Sequence, residues 1–488
     1  MKNQEKTPLF SRLIQYIESN PTPFHIPGHK MGNAVEQSFK DFIGENAFKL
    51  DLINIEPLDD LHHPKGIIKE AQDLAAEAFG ADYTFFSVQG TSGAIMTMIL
   101  SVCKPGEKII LPRNAHKSII SAVIFSGAIP IFIHPELDES LGISHGITPS
   151  AVRDALTAHP DAKGVLVINP TYFGIAGDLE QIVTIAHKYD IPVLVDEAHG
   201  FHIHFHPDLP ISAMQAGADI AATSVHKLGG SLTQSSVLNL QGNRISPERV
   251  QTIMSMFTTT STSYLLLASL DVARKQMATN GFQLVNHSIR LAEYARSEIN
   301  KLTKIYCIGK EILGTEATYK YDPTKLIIST KDLGLTGYEV EVWLREKYKI
   351  EVELSDLYNI LCIITSGDSK ETINILIEAL RRLEREKDAP KTNIKVSFPD
   401  IPLLALPPRI AFYAETEIVP IHEASGRISA ESLMIYPPGI PIFIPGEIIS
   451  QDNIEYIFKN VRAGLPVQGL QDESLKTIQV IKEHKPFL

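Results

Sequence analysis

Ser224-Val225-His226-Lys227 runs into Leu228-Gly229-Gly230, and the only charged side chain between Asp219 and Arg244 is Lys227 itself. A surface lysine usually lies among other charges. A lysine kept in uncharged surroundings is a candidate amine nucleophile. Such an amine captures a carbonyl as a Schiff base, and the carbonyl expected at Lys227 is the aldehyde of pyridoxal 5′-phosphate. That cofactor also needs an acid for its pyridine nitrogen, a cradle for its phosphate and groups that fix the ring plane.

The chain offers a candidate for each part. Asp196 ends an apolar run and could hold a protonated ring nitrogen, because opposite charges favour each other's ionised forms. Its alternative role is a cap on the following segment. Gly90-Thr91-Ser92-Gly93 joins a strand to a helix, where free N–H groups and the positive helix end face an anion. Thr91 and Ser92 add hydroxyls, and Ser224 and His226 could complete the cradle from the lysine side. His116 and His199 are candidates for the ring faces, and Ala198 is small enough to let a ring lie close. One rival uses His199, His202, His204 and His206. At strand spacing the last three share a face, and neutral imidazoles bind zinc, which with Asp196 would make a metallohydrolase. That reading leaves Lys227 and the Gly90–Gly93 loop unused and lacks a second carboxylate, so no metal is expected.

These residues need elements to position them, and the pattern from Gly66 onward alternates helix and strand. Strands are expected at 83–88, 108–111, 129–133, 164–168, 192–195 and 220–223. Helices are expected at 66–79 (closed by Gly80), 94–102, 116–125, 148–159, 179–189 and 211–216. Apolar strands joined by helices mark a buried, mainly parallel sheet covered on both faces, an α/β architecture. Ligands bind at the carboxyl ends of such strands. The clusters around Gly90, His116, Asn169, Asp196 and Lys227 all follow a strand. Residues 1–50 read as an arm with a shaped loop, Phe24 to Lys30. The PLP-binding large domain is expected over 51–302, closing with a long helix from Tyr264. A small α+β domain is expected over 303–387 and a proline-rich C-terminal domain over 388–488, with the linker inside 381–395.

The chain has 488 residues, enough for several domains. Its net charge of −12 gives no support for nucleic acid or an anionic membrane as partner. Cys103, Cys307 and Cys362 are odd in number and far apart, as in a reduced, cytoplasmic protein. Residues 1–20 lack the apolar core of a signal peptide, and the longest apolar stretch, 119–133, is too short and broken to span a bilayer.

The motifs together resemble the ornithine/lysine/arginine decarboxylases of PLP fold-type I, which are aspartate aminotransferase-like. The resemblance covers nearly the whole chain. It rests on Phe24-His-Ile-Pro-Gly-His-Lys30, Pro57-Leu-Asp-Asp-Leu-His62, Phe79-Gly-Ala-Asp82, Gly90-Thr-Ser92, Arg113-Asn-Ala-His-Lys-Ser118, Asp196-Glu-Ala-His199, Ser224-Val-His-Lys227 and Tyr436-Pro-Pro-Gly439. It implies a seven-stranded, mainly parallel sheet and decarboxylation of a basic amino acid. Within the family the likeness is to the shorter biosynthetic members that turn L-arginine into agmatine for polyamines, with lysine or ornithine as the alternative substrate. Lys227 would be the Schiff-base lysine, Asp196 the partner of the ring nitrogen and His116 the residue stacked on the ring. Thr91, Ser92, Ser224 and His226 would hold the phosphate. Hydroxyls from Thr258 to Ser263, Thr262 and Ser263 among them, would reach a partner subunit's phosphate. Glu447 would meet the substrate's distal cation, and Lys227 or His226 would return a proton to Cα. The chain starts almost at the arm, without the receiver-like domain of the large inducible members, so a homodimer or a dimer-based tetramer is expected. Aminotransfer is the nearest other reaction, with Arg409 or Arg427 available for the α-carboxylate.

Overall fold

The computed structural model describes residues 3–387, 400–435, 440–462 and 465–482. The Tyr436–Gly439 motif and the linker residues 388–395 lie outside the described residues. The main sheet has seven strands: β1 (Tyr83–Ser87), β2 (Lys108–Pro112), β3 (Ile129–Ile133), β4 (Val165–Ile168), β5 (Val193–Asp196), β6 (Ile220–Ser224) and β7 (Ser236–Leu240). Their order is β1-β7-β6-β5-β4-β2-β3. β2 pairs in parallel with β3 and β4, and β5 with β6. β7 runs antiparallel to both β1 and β6.

The chain divides into two compact units, Met1–Val102 with Pro192–Asn286, and Cys103–Ile191 with His287–Leu488. The units therefore cut the chain differently from the linear domain boundaries. The first holds β1, β5, β6 and β7. Its helix Ile67–Phe79 buries Ile68, Ala71, Leu74 and Ala75 and ends on Gly80 in the left-handed conformation, the C-cap that the sequence predicts. The second holds β2, β3 and β4 and a four-stranded antiparallel sheet, Tyr306–Cys307, Lys325–Ser329, Asn359–Ile363 and Leu354–Ser355. The core beside that sheet contains Trp343 and Leu344 of helix Gly337–Tyr348 and Ile373, Ile377 and Leu380 of helix Lys370–Glu386.

Four expectations change. β7 has no counterpart among the six strands expected from pattern, because its buried Ser236 and Asn239 hide its periodicity. Asn239 is satisfied across the ladder by Thr84 Oγ1 at 2.7 Å. The helix expected at 211–216 is a set of turns. The helix after β1 begins at Gly90, so Thr91 and Ser92 sit in its first turn instead of a preceding loop. The histidine run is not a strand: Ile203–Phe205 form a 3-10 turn, which scatters the imidazoles. Among the described residues, no helix is long and apolar enough to cross a membrane.

Candidate active site

β6 delivers Ser224 as the N-cap of the short helix Val225–Leu228, which carries His226 and Lys227. Gly229 closes it by close approach. A Cβ there would lie 2.3 Å from the Phe201 ring and 2.7 Å from Val225 O. The glycine after Lys227 is thus needed to seat the lysine turn on Phe201.

Lys227 Nζ lies 2.8 Å from His199 Nε2. An ammonium only donates, so His199, itself buried, meets it with a ring lone pair. Asp196 ends β5 and is fully enclosed. Its hydrogen bond among the described residues comes from Ala198 N–H to Oδ1 at 3.1 Å. Burial pushes its carboxyl up, opposed by that N–H and by the charge of Lys227. A buried carboxylate so sparsely satisfied is suited to a cationic partner.

Thr91 Oγ1 bonds to Ser224 Oγ and, at 2.6 Å, to Ser236 Oγ. Three buried hydroxyls therefore meet at the start of the 13-residue helix Gly90–Val102. Ser92 lies on the exposed side of the same turn. Hydroxyls at a helix N-terminus form an anion site. The donor set fits pyridoxal phosphate: an amine, a buried carboxylate near it and a hydroxyl cluster for the phosphate. Ser236 joins Thr91 only through β7, a strand the pattern does not predict.

His226 Nδ1 lies 2.9 Å from Ser235 O. A carbonyl only accepts, so Nδ1 carries the hydrogen, and Nε2 is the ring atom able to take or pass a proton. Ala198 follows β5 and is half-buried. His116 belongs to the second unit. It is exposed and caps helix Lys117–Ser126, accepting at Nδ1 from Ser118 N–H at 3.2 Å. Its Nε2 therefore carries the proton when the ring is neutral.

Three of the expected site residues have surroundings within the chain that the sequence does not show. Thr262 is 2% exposed within the single chain. In that run Thr259, Thr260 and Ser261 are the exposed ones. Ser263 caps the long helix Tyr264–Ile299, its Oγ accepting from Leu266 N–H at 3.4 Å. Glu447 is 1% exposed, and both its oxygens bind Arg113, at 2.6 and 2.8 Å. Arg113 is thus its charged partner among the described residues.

The rival metal site is not assembled. His204 Nδ1 bonds Ser212 Oγ at 3.0 Å, His206 stacks on Phe282 with centroids 4.8 Å apart, and His199 faces Lys227. Among the described residues, no group of three His, Cys, Asp or Glu is arranged to hold a metal ion.

Asn169 directly follows β4 and is 1% exposed, with no hydrogen-bond partner for either amide atom among the described residues. It holds the same offset as Asp196, a polar residue closing an apolar strand.

Against known proteins, residues 7–372 match the family model described as Orn/Lys/Arg decarboxylase, major domain, and residues 398–470 the model of the Orn/Lys/Arg decarboxylase C-terminal domain. The chain is 66% identical over 486 residues to an arginine decarboxylase of Bacillus subtilis, covering 99% of each. A lysine decarboxylase structure from Francisella novicida superposes with a TM-score of 0.86 at 24% identity, over 98% of this chain and 81% of that one. An ureidoglycine–glyoxylate aminotransferase structure from Bacillus subtilis gives 0.52 at 14% identity, over 67% and 87%. At those identities the two structures speak for fold alone.

Proposed function

The chain belongs to the Orn/Lys/Arg decarboxylase family, and from that premise we propose that it converts L-arginine to agmatine and carbon dioxide, with pyridoxal phosphate held at Lys227. The observation that carries the choice of arginine is the identity of 66% to an arginine decarboxylase along essentially the entire length of both chains.

Bound at this site, pyridoxal phosphate would supply an electron sink for the pair left on Cα when the carboxylate departs. The residues have distinct tasks. Lys227 is the amine that would hold the cofactor, and His199 Nε2 fixes the direction of Nζ. Asp196 would keep a proton on the ring nitrogen, and its enclosure makes that charge pair strong. Thr91, Ser92, Ser224 and Ser236 would take the phosphate. His116 would lie against the ring. Lys227 or His226 Nε2 would deliver a proton to Cα after carbon dioxide leaves. We further infer a cytoplasmic homodimer or dimer-based tetramer with a shared active site, whose product feeds polyamine synthesis.

The test is a product assay with arginine, lysine and ornithine run in parallel on the loaded enzyme. Agmatine in large excess over cadaverine and putrescine supports the proposal. Equal or greater turnover of lysine or ornithine overturns the choice of arginine, and keto-acid product overturns decarboxylation.

A further inference from the structure

We propose that the C-terminal region is a positioning device for His116, gripping the segment that carries this histidine at both ends. The proposal rests on the reading of His116 as a contact of the cofactor ring.

The front grip is Arg113, three residues before His116 and fully buried. Its Nε donates to Pro441 O at 3.1 Å and its Nη2 to Ile442 O at 3.2 Å. Its fork closes on both oxygens of Glu447, and its guanidinium carbon sits 4.6 Å from the centroid of the Phe132 ring. Glu447 is itself immobilised. Its Oε2 accepts from Ile444 N–H at 2.9 Å, and its carbonyl accepts from Ser429 N–H at 2.8 Å. The preceding Gly446 has φ +96, and a Cβ there would lie 2.2 Å from Leu406 O. Only glycine permits that turn, so the carboxylate is aimed by backbone and not by a mobile loop.

The rear grip is tied to the first, since Leu406 N–H donates to Gly446 O at 3.1 Å. Helix Pro408–Tyr413 packs on helix Lys117–Ser126, and Arg409 Nη1 donates to Phe125 O at 2.7 Å. Between the grips His116 caps the helix through Ser118, as described above. A buried ion pair adds little net stability over an apolar pair of the same size. What a two-pronged guanidinium–carboxylate contact adds is direction. Placed three residues before His116, that direction fixes where the segment carrying the imidazole starts.

The experiment compares E447Q, R409A, H116A and the E447Q/H116A double variant in the full chain. Two readouts are taken: the dissociation constant of pyridoxal phosphate and the visible absorbance band of the bound cofactor. E447Q is expected to weaken cofactor binding on the order of tenfold and to move the band, as loss of an orienting partner does elsewhere. R409A should act in the same direction. In the H116A background E447Q should add no further change, because the two act through one residue. The proposal is overturned if E447Q lowers the melting temperature yet leaves both readouts unchanged, or if its penalty persists in full without His116. Should H116A alone change neither readout, the assignment of His116 is what fails, and the positioning role falls with it. Should E447Q not fold, R113K keeps the charge, loses the fork and carries the same two readouts.

Discussion

His199 Nε2 stands 2.8 Å from Lys227 Nζ, so a neutral imidazole holds the one amine around which the site is organised. Replacing His199 by Ala removes that acceptor and should lower kcat about a hundredfold. His199→Gln, which can present an amide oxygen in place of the ring nitrogen, should retain several times more activity than the Ala variant. Steady-state kinetics at saturating cofactor decide it. Equal loss in both variants would mean that the acceptor is not what matters.

Glu197 follows Asp196 and is fully enclosed, accepting from Ala213 N–H at 2.7 Å and from Thr223 Oγ1 at 3.0 Å. Among the described residues no cation offsets it, and burial pushes its carboxyl from 4.5 up to about 7. Between those values the folded chain holds a proton that the unfolded chain has lost. Stability therefore falls as pH rises through that window and stays lower above it, by roughly 3 kcal/mol. Glu197→Gln removes the titration while keeping a partner for each contact. Its stability relative to the parent should rise between pH 5 and pH 8 in denaturant titrations. A difference that does not change with pH would contradict the assignment.

Arg113 and Glu447 are both 1% exposed. Glu447→Ala leaves a buried guanidinium uncompensated and should cost about 3–5 kcal/mol of stability, whereas Arg113→Met with Glu447→Met should cost far less. At saturating cofactor, Glu447→Gln should leave the preference for arginine over lysine unchanged. A selective loss of arginine turnover would return Glu447 to the substrate site.

Thr91 links Ser224 and Ser236 at the helix start. Thr91→Val should weaken pyridoxal phosphate binding about tenfold or more, the worth of a hydrogen bond to a charged group. Pyridoxal, which lacks the phosphate, should bind the parent and the variant alike. Equal losses for both ligands would place Thr91 away from the phosphate.

Much of this arrangement is legible in the sequence, because apolar strands ending in one polar residue mark both the sheet and the sites at its edge. Asp196 stands out in that way, and Lys227 by its uncharged neighbourhood. What sequence could not supply came from polar residues satisfied over long separations. β7 is disguised by Ser236 and Asn239, whose partners Thr91 and Thr84 lie far upstream. Glu447 on its Pro-Gly turn looks like a presented carboxylate until Arg113, 334 positions away in the chain, is placed against it. The run Thr258–Ser263 reads as a row of hydroxyls, and only the structure shows that Thr262 is buried within the chain and Ser263 caps the start of a helix. The histidine run suggested strand spacing, and a 3-10 turn removed it.

The most direct test of the account is chemical trapping at Lys227. The protein is loaded with pyridoxal phosphate, reduced with borohydride, digested and mapped by mass spectrometry, with Lys227→Ala treated in parallel. One pyridoxyl adduct, on Lys227, is expected, with loss of arginine decarboxylation on the order of a thousandfold or more in the Ala variant. An adduct on a different lysine, or full decarboxylation by Lys227→Ala, would contradict the account.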